Sequence, residues 1–312
     1  MNDFEKKQFF GFSWSDVPEW PLLPSAILYL DRNMPENVAH TLRTLESIPV
    51  TRQQATQIIV EGKGVNQLYL EQIDKIRYFG AAVSSVIRAV RKKEPLTLKR
   101  ILGLHSCISQ GLGIQSGVFR ANSIAIGGTT WRPAPPDVLQ KSWEAGFTAL
   151  QTLQSPEERA LVLWGLITRN QFFQDCNKRT ATLAANWLLL PHDLCPLSFQ
   201  GDHEEFNDAL LTFYEKGNLD PIIQWFYHRA FEIAQSYSEK LIERPRELGC
   251  YVGKIAEVNA ETHHVFQRVD DSLICHSSDT WSEKPAMGDW WKIVYGHAGE
   301  KVLLQLLAEQ EH

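Results

Sequence analysis

Between residues 180 and 190 the chain reads TATLAANWLLL, a run that is apolar on nearly every side of a helix. A helix without a polar face belongs at the centre of a bundle. A second helical run, within SPEERALVLWGLITRNQFF (155–173), comes just before it. Ser155 is a good N-cap, Pro156 suits the first helical position, and Glu158 stands where a capping box needs an acid. This helix is expected to bury Leu161, Trp164 and Ile167, and its successor to run from about Lys178 to Leu190.

The link between them, QFFQDCNKR (171–179), is the polar exception. A helix start leaves backbone N–H groups unpaired, here those of residues 176 to 179, and carries the positive end of the helix dipole. Such a start is an anion cradle. Arg179 adds a forked donor, Lys178 a point charge, and Asp175 a carboxylate able to hold magnesium. Asn177 can cap the helix or touch a ligand, and Cys176 is placed where a thiol can be acidified. The same residues also fit an ordinary cap with solvated charges.

Around this pair the chain reads as mainly helical. Residues 1–50 form an aromatic, proline-rich N-terminal extension; helical runs then cover TRQQATQIIVEG, LYLEQIDKIRYFGAAVSSVIRAVRKK and LTLKRILGLHSCISQGL. FRANSIAIGGTTWRPAPP predicts a β-hairpin turning at Gly127-Gly128. At RPRELG (244–249) the pattern changes to period two with glycine and Asp/Asn turns, which predicts a small β-rich domain over 249–312 beside a helical domain over 51–243.

The net charge of −6 argues against nucleic acid and anionic membranes as partners, although a local basic patch stays open. Five scattered cysteines without a CxxC pair fit a reducing compartment. No stretch reaches the roughly 18 apolar residues of a membrane span, and no leader peptide is evident. The expectation is a cytoplasmic protein, with homo-oligomerisation left open.

Phe173, Asp175, Asn177, Lys178, Arg179, Thr180 and Ala181 resemble the signature of Fic-domain proteins. GVFRANSIAIGG with its following prolines resembles the family's flap, and EEFNDALLTFYEKGNLDPIIQWF its closing helices. The resemblance implies a Fic-type helical bundle with a β-hairpin flap. It implies ATP, or another nucleotide, held with Mg2+ over the loop, and AMP or another phosphate-containing group transferred to a hydroxyl of a protein target. Cys176, Asn177, Lys178 and Arg179 would bind the nucleotide, with Asp175 on the metal. Asn177, Asp175 and Arg179 would serve catalysis beside Gln171, and Ile124, Ala125, Ile126, Gly127 and Gly128 would hold the target by strand addition.

This chain departs from the pattern at four positions. Gln171 stands at the family histidine and cannot act as a base. Phe172 replaces a proline, Cys176 a glycine, and Thr182 the second arginine. A catalytically inactive pseudoenzyme that senses nucleotide or binds protein is therefore the alternative to transfer. Glu61-Gly62 stands in the register of the family's inhibitory helix. The C-terminal region resembles the KfrB-type domain of plasmid-borne bacterial proteins. His263, His264, Cys275 and His276 there fit no standard zinc spacing, and Asp289-Trp290-Trp291 reads as core or partner surface rather than as a stacking platform for nucleic acid.

Overall fold

The computed structural model describes residues 1–201, 203–243, 249–259, 263–269, 272–278, 281, 284–296 and 301–307. The chain divides into two compact units, Met1–Ala234 and Gln235–His312. In the first lie α1 (Asp3–Phe10), α2 (Ala26–Arg32), α3 (Met34–Glu46), α4 (Arg52–Ile59), α5 (Leu70–Arg91), α6 (Leu98–Ile108) and α7 (Leu139–Leu150). They are followed by α8 (Pro156–Asn170), α9 (Asn177–Leu189), α10 (His203–Lys216) and most of α11 (Asp220–Leu241).

The pair α8–α9 is the buried centre that its composition demands. Leu161, Trp164, Ile167, Leu183 and Ala184 are all within 2% of complete burial. Each large apolar side chain so buried contributes about 1.5–3 kcal/mol. Ser155 caps α8 by accepting from Glu158 N at 3.1 Å. The reciprocal half of the expected capping box does not form, because the Glu158 carboxylate accepts from Trp14 Nε1 at 3.0 Å instead.

That contact shows how the first fifty residues behave. They do not stand apart as an extension; they pack into the helical unit. Phe10, Phe12, Trp14, Trp20 and Leu23 are buried. Phe12 lies so close to α8 that a Cβ at Gly165 would sit 2.8 Å from its ring. Only glycine admits the ring there.

The segment expected as a β-hairpin forms no ladder. Residues 121–135 carry no strand and turn at Gly127-Gly128. Pro133, Pro135 and Pro136 lack donors, so the returning arm has few N–H groups to offer. Other partners hold the segment. The Glu215 carboxylate accepts from Thr130 N at 2.8 Å and from the hydroxyls of Thr129 and Thr130. The flap is thereby tied to α10.

The second unit is a sheet of β1 (Ile242–Glu243), β2 (Cys250–Asn259), β3 (His264–Val269), β4 (Ser272–Ser277), β5 (Trp290–Tyr295) and β6 (Lys301–Leu307). Its order is β1-β4-β3-β2-β5-β6, antiparallel throughout except for the short parallel pairing of β1 with β4. Period-two patterning is realised directly. Ile255, Val265, Trp291, Ile293 and Tyr295 point to one face and make its core with Trp281. Gly253 is fixed by a close approach, since a Cβ there would fall 1.8 Å from the Arg268 carbonyl oxygen. His276 is buried in that core, with Nδ1 2.7 Å from Tyr295 Oη and Nε2 3.1 Å from Gln267 Oε1. Its nitrogens are occupied, and among the described residues no cluster of histidine, cysteine and acid suits a metal. Among the described residues no helix is long and apolar enough to cross a membrane.

Candidate phosphate-binding site

The link between α8 and α9 is built by two non-glycine residues in the left-handed region, Gln171 (φ 48°) and Cys176 (φ 63°). Position 176, where the family pattern has glycine, lies in the region that favours glycine. Cys176 adopts it, at a strain of about 1 kcal/mol.

Asn177 organises the loop rather than facing a ligand. Its Oδ1 accepts from Phe173 N at 2.9 Å, and its Nδ2 donates to Gln171 Oε1 at 2.9 Å and Phe173 O at 2.8 Å. Gln171 is committed as completely. Its Nε2 donates to Thr168 O at 2.7 Å and Tyr214 Oη at 3.2 Å, while its backbone oxygen accepts from Arg120 Nε at 2.6 Å. An amide so bound on every side does not reach out to an acceptor hydroxyl.

Sequence reasoning did not single out two further supports of this loop. Arg120 is buried and gathers the carbonyls of Gln171, Asn122 and Ala134, joining loop and flap. His105 of α6 stacks on Phe173 with ring centroids 3.9 Å apart. Its Nδ1 accepts from Gly117 N at 2.9 Å, so Nε2 carries the proton and donates to Asp175 O at 3.2 Å. Burial pushes the imidazole down to about 4, which keeps it neutral.

The cationic half of the loop is different. Lys178 lines a cavity of about 400 Å³ together with Ile126, Gly127 and Gly128 of the flap and Tyr214 of α10. Ile124 and Ala125 do not line it. Burial holds the Lys178 ammonium below the usual lysine range. Arg179 is 1% exposed. Its Nη2 meets Glu46 Oε1 at 2.9 Å and Cys176 Sγ at 3.2 Å, and its Nε and Nη1 are buried without partners. Glu46, the last residue of α3, also approaches Lys75 Nζ of α5 at 3.6 Å. A carboxylate thus occupies an anion position among Arg179, Lys75 and Lys178.

Desolvation raises the Cys176 thiol to about 12, so it behaves as a buried cysteine and not as an acidified thiol. Thr182, at the position of the family's second arginine, is buried, donates to Lys178 O and accepts from Trp164 Nε1. Glu61 and Gly62 are not brought to the loop. Glu61 pairs with Lys63 at 2.8 Å on an exposed turn, and the carboxylate that reaches the loop is that of Glu46. No local signal marked Glu46, because its partners lie far along the chain.

Asp175 is exposed at the mouth of the loop, and its Oδ1 accepts from Cys176 N at 2.5 Å. Its Oδ2 makes no hydrogen bond among the described residues. One carboxylate at a cradle fits Mg2+, which commonly takes one or two protein oxygens and completes its shell with phosphate and water.

A helical bundle whose two central helices meet at such a loop, under a flap, is a Fic-type fold. Residues 95–189 match the model of the Fic/DOC family. The protein adenylyltransferases Fic of Aedes aegypti and Culex quinquefasciatus are 26% and 25% identical over 175 residues, 54% of this chain. The chain spans 34% of the length of each of these curated relatives. The structure of C. elegans Fic-1 superposes with a TM-score of 0.59 at 18% identity, over 69% of this chain and 66% of that one. A Fic-domain signalling protein of Bacteroides thetaiotaomicron gives 0.54 at 18%, over 70% of this chain and 92% of that one. These likenesses share the fold.

Proposed function

We propose that the helical unit binds a nucleotide, ATP above all, through its phosphates at the α8–α9 loop, and that Glu46 competes with the phosphates for Arg179. The observation that carries this reading is Arg179 itself, buried with two donor nitrogens unpartnered and the third held by the carboxylate of Glu46. A buried guanidinium with unused donors is costly unless a ligand completes it. Lys178 adds a desolvated charge facing the cavity, and the free N–H groups at the start of α9 add the helix dipole. Asp175 would hold Mg2+, which when bound neutralises phosphate charge.

Within this reading the unit is a nucleotide-binding pseudoenzyme. Gln171 offers no base and its amide is committed inward, and loss of general-base help typically lowers a rate by about 10²–10⁴. The second reading is slow transfer of AMP to a protein hydroxyl laid against the flap, and the names of the curated relatives favour it.

Calorimetric titration with Mg-ATP tests the first reading. Saturable binding is expected for the wild-type chain, and at least tenfold tighter binding for Glu46→Gly. Absence of binding by both proteins sinks it. ATP labelled at the α-phosphate, incubated with a cell lysate and the Glu46→Gly protein, tests the second. Label on protein decides for transfer, and binding without label decides for the pseudoenzyme.

A further inference from the structure

The sheet of the second unit has two faces of opposite character. One makes the core described above. The other carries Arg268, Lys254 and Trp290 in a single row, because Lys254 of β2 pairs in register with Arg268 of β3 and with Trp290 of β5. Lys292 of β5 lies diagonally beside Lys254 on the same face, opposite Val252, and Phe266 lies two residues along β3 from Arg268. Lys254 and Arg268 are exposed, while Lys292, Trp290 and Phe266 are half-buried.

Two features of this row work against folding. Like charges directly opposite on neighbouring strands repel. Moreover, Lys254, Arg268 and Lys292 have no carboxylate partner among the described residues. Glu257, opposite Phe266, is the one acid that the described strands place on this face. A local rule broken without a compensating contact points to a ligand. The chain's overall charge of −6 makes three cations on one face an exception to its composition.

We propose that this face binds single-stranded nucleic acid, the phosphates lying along Arg268, Lys254 and Lys292 and bases stacking on Trp290 and Phe266. The combination of rings and cations favours that occupant. An acidic peptide would use the charges and leave the rings idle, whereas an unpaired strand uses both, since every base has a face to stack. The antiparallel strands present these groups in rows along which an extended chain can lie. The overall acidity, read from the sequence as arguing against nucleic acid, describes the whole chain and not this face. The inference is independent of the nucleotide reading of the helical unit.

Fluorescence polarisation of end-labelled twelve-residue oligo(dT) and oligo(U) with the full chain tests it. Saturable binding is expected at 50 mM salt, with a log–log salt slope of about −2, as three cations on a single strand predict. Lys254→Gln with Arg268→Gln should weaken binding at least tenfold and flatten the slope. Trp290→Ala should weaken it several-fold and leave the slope unchanged, which separates stacking from charge. Arg268→Glu gives Lys254 an opposite-charge neighbour, so it should preserve the thermal melt while abolishing binding. Unchanged affinity in that folded variant overturns the proposal. So does failure of the wild-type chain to bind either oligonucleotide, or equally tight binding of labelled polyglutamate.

Discussion

The protein gathers positive charge in two places and treats it in opposite ways. At the α8–α9 loop Arg179 is almost wholly buried, and a carboxylate has been brought to it from another helix. On the outer face of the sheet Lys254 and Arg268 oppose each other in solvent, with no carboxylate paired to them among the described residues. The difference follows from dielectric. A buried guanidinium without a counter-charge is unaffordable for a marginally stable fold, so the core must supply Glu46 or a ligand. In water the repulsion between two exposed cations is about 1 kcal/mol or less, and the fold tolerates it. Burial therefore marks where a ligand must displace an internal partner, and exposure marks where it needs only to arrive.

The largest test of this contrast removes Glu46. Glu46→Ala strands Arg179 and should lower the stability of the helical unit by about 3 kcal/mol in a denaturant melt without ligand. Mg-ATP should restore much of that loss, because phosphate then supplies the missing charge. If Glu46→Ala is neutral without ligand, the burial argument fails.

A comparable effect should appear with pH. His105 titrates near 4 in the folded chain against about 6.5 when unfolded, so protons bind the unfolded chain preferentially between those values. Its contribution is complete above pH 6.5 and declines as the pH falls, reaching a loss of about 3 kcal/mol near pH 4. Melts across that window should steepen accordingly, and His105→Gln should flatten the slope.

Asn177→Ala comes next. It leaves Phe173 N and Gln171 Oε1 without their partner inside the core, which should cost about 2 kcal/mol and weaken Mg-ATP binding together. A variant stable as wild type would show that the loop is held by the backbone alone. The smallest effect is expected on the sheet. Arg268→Glu should raise the melting point of the second unit slightly, by about 0.5 kcal/mol of stability, since an opposing pair replaces a like one.

Much of this was legible beforehand. Apolar periodicity placed α8 and α9 within a residue or two, Ser155 and Pro156 marked a real helix start, and alternation revealed the sheet. Position 176 was noted as a departure from glycine, and the structure shows it in the left-handed region. The local signals misled where a second element intervened. Glu158 fitted a capping box until Trp14 claimed it, and Gly127-Gly128 promised a hairpin whose arms are held by Glu215 and Arg120 instead. Glu61 stood in a plausible register, yet Glu46 was delivered to Arg179.

By itself, then, the sequence determined which segments are helices or strands and which of their faces are apolar, because those depend on neighbours three or four residues away, or two. Only the tertiary structure decided that Asn177 and Gln171 serve the loop, that Glu46 guards Arg179, and that three cations share one face of the sheet. Each of these is a meeting of distant positions whose energy depends on burial and on register, neither of which is a property of any short stretch of chain.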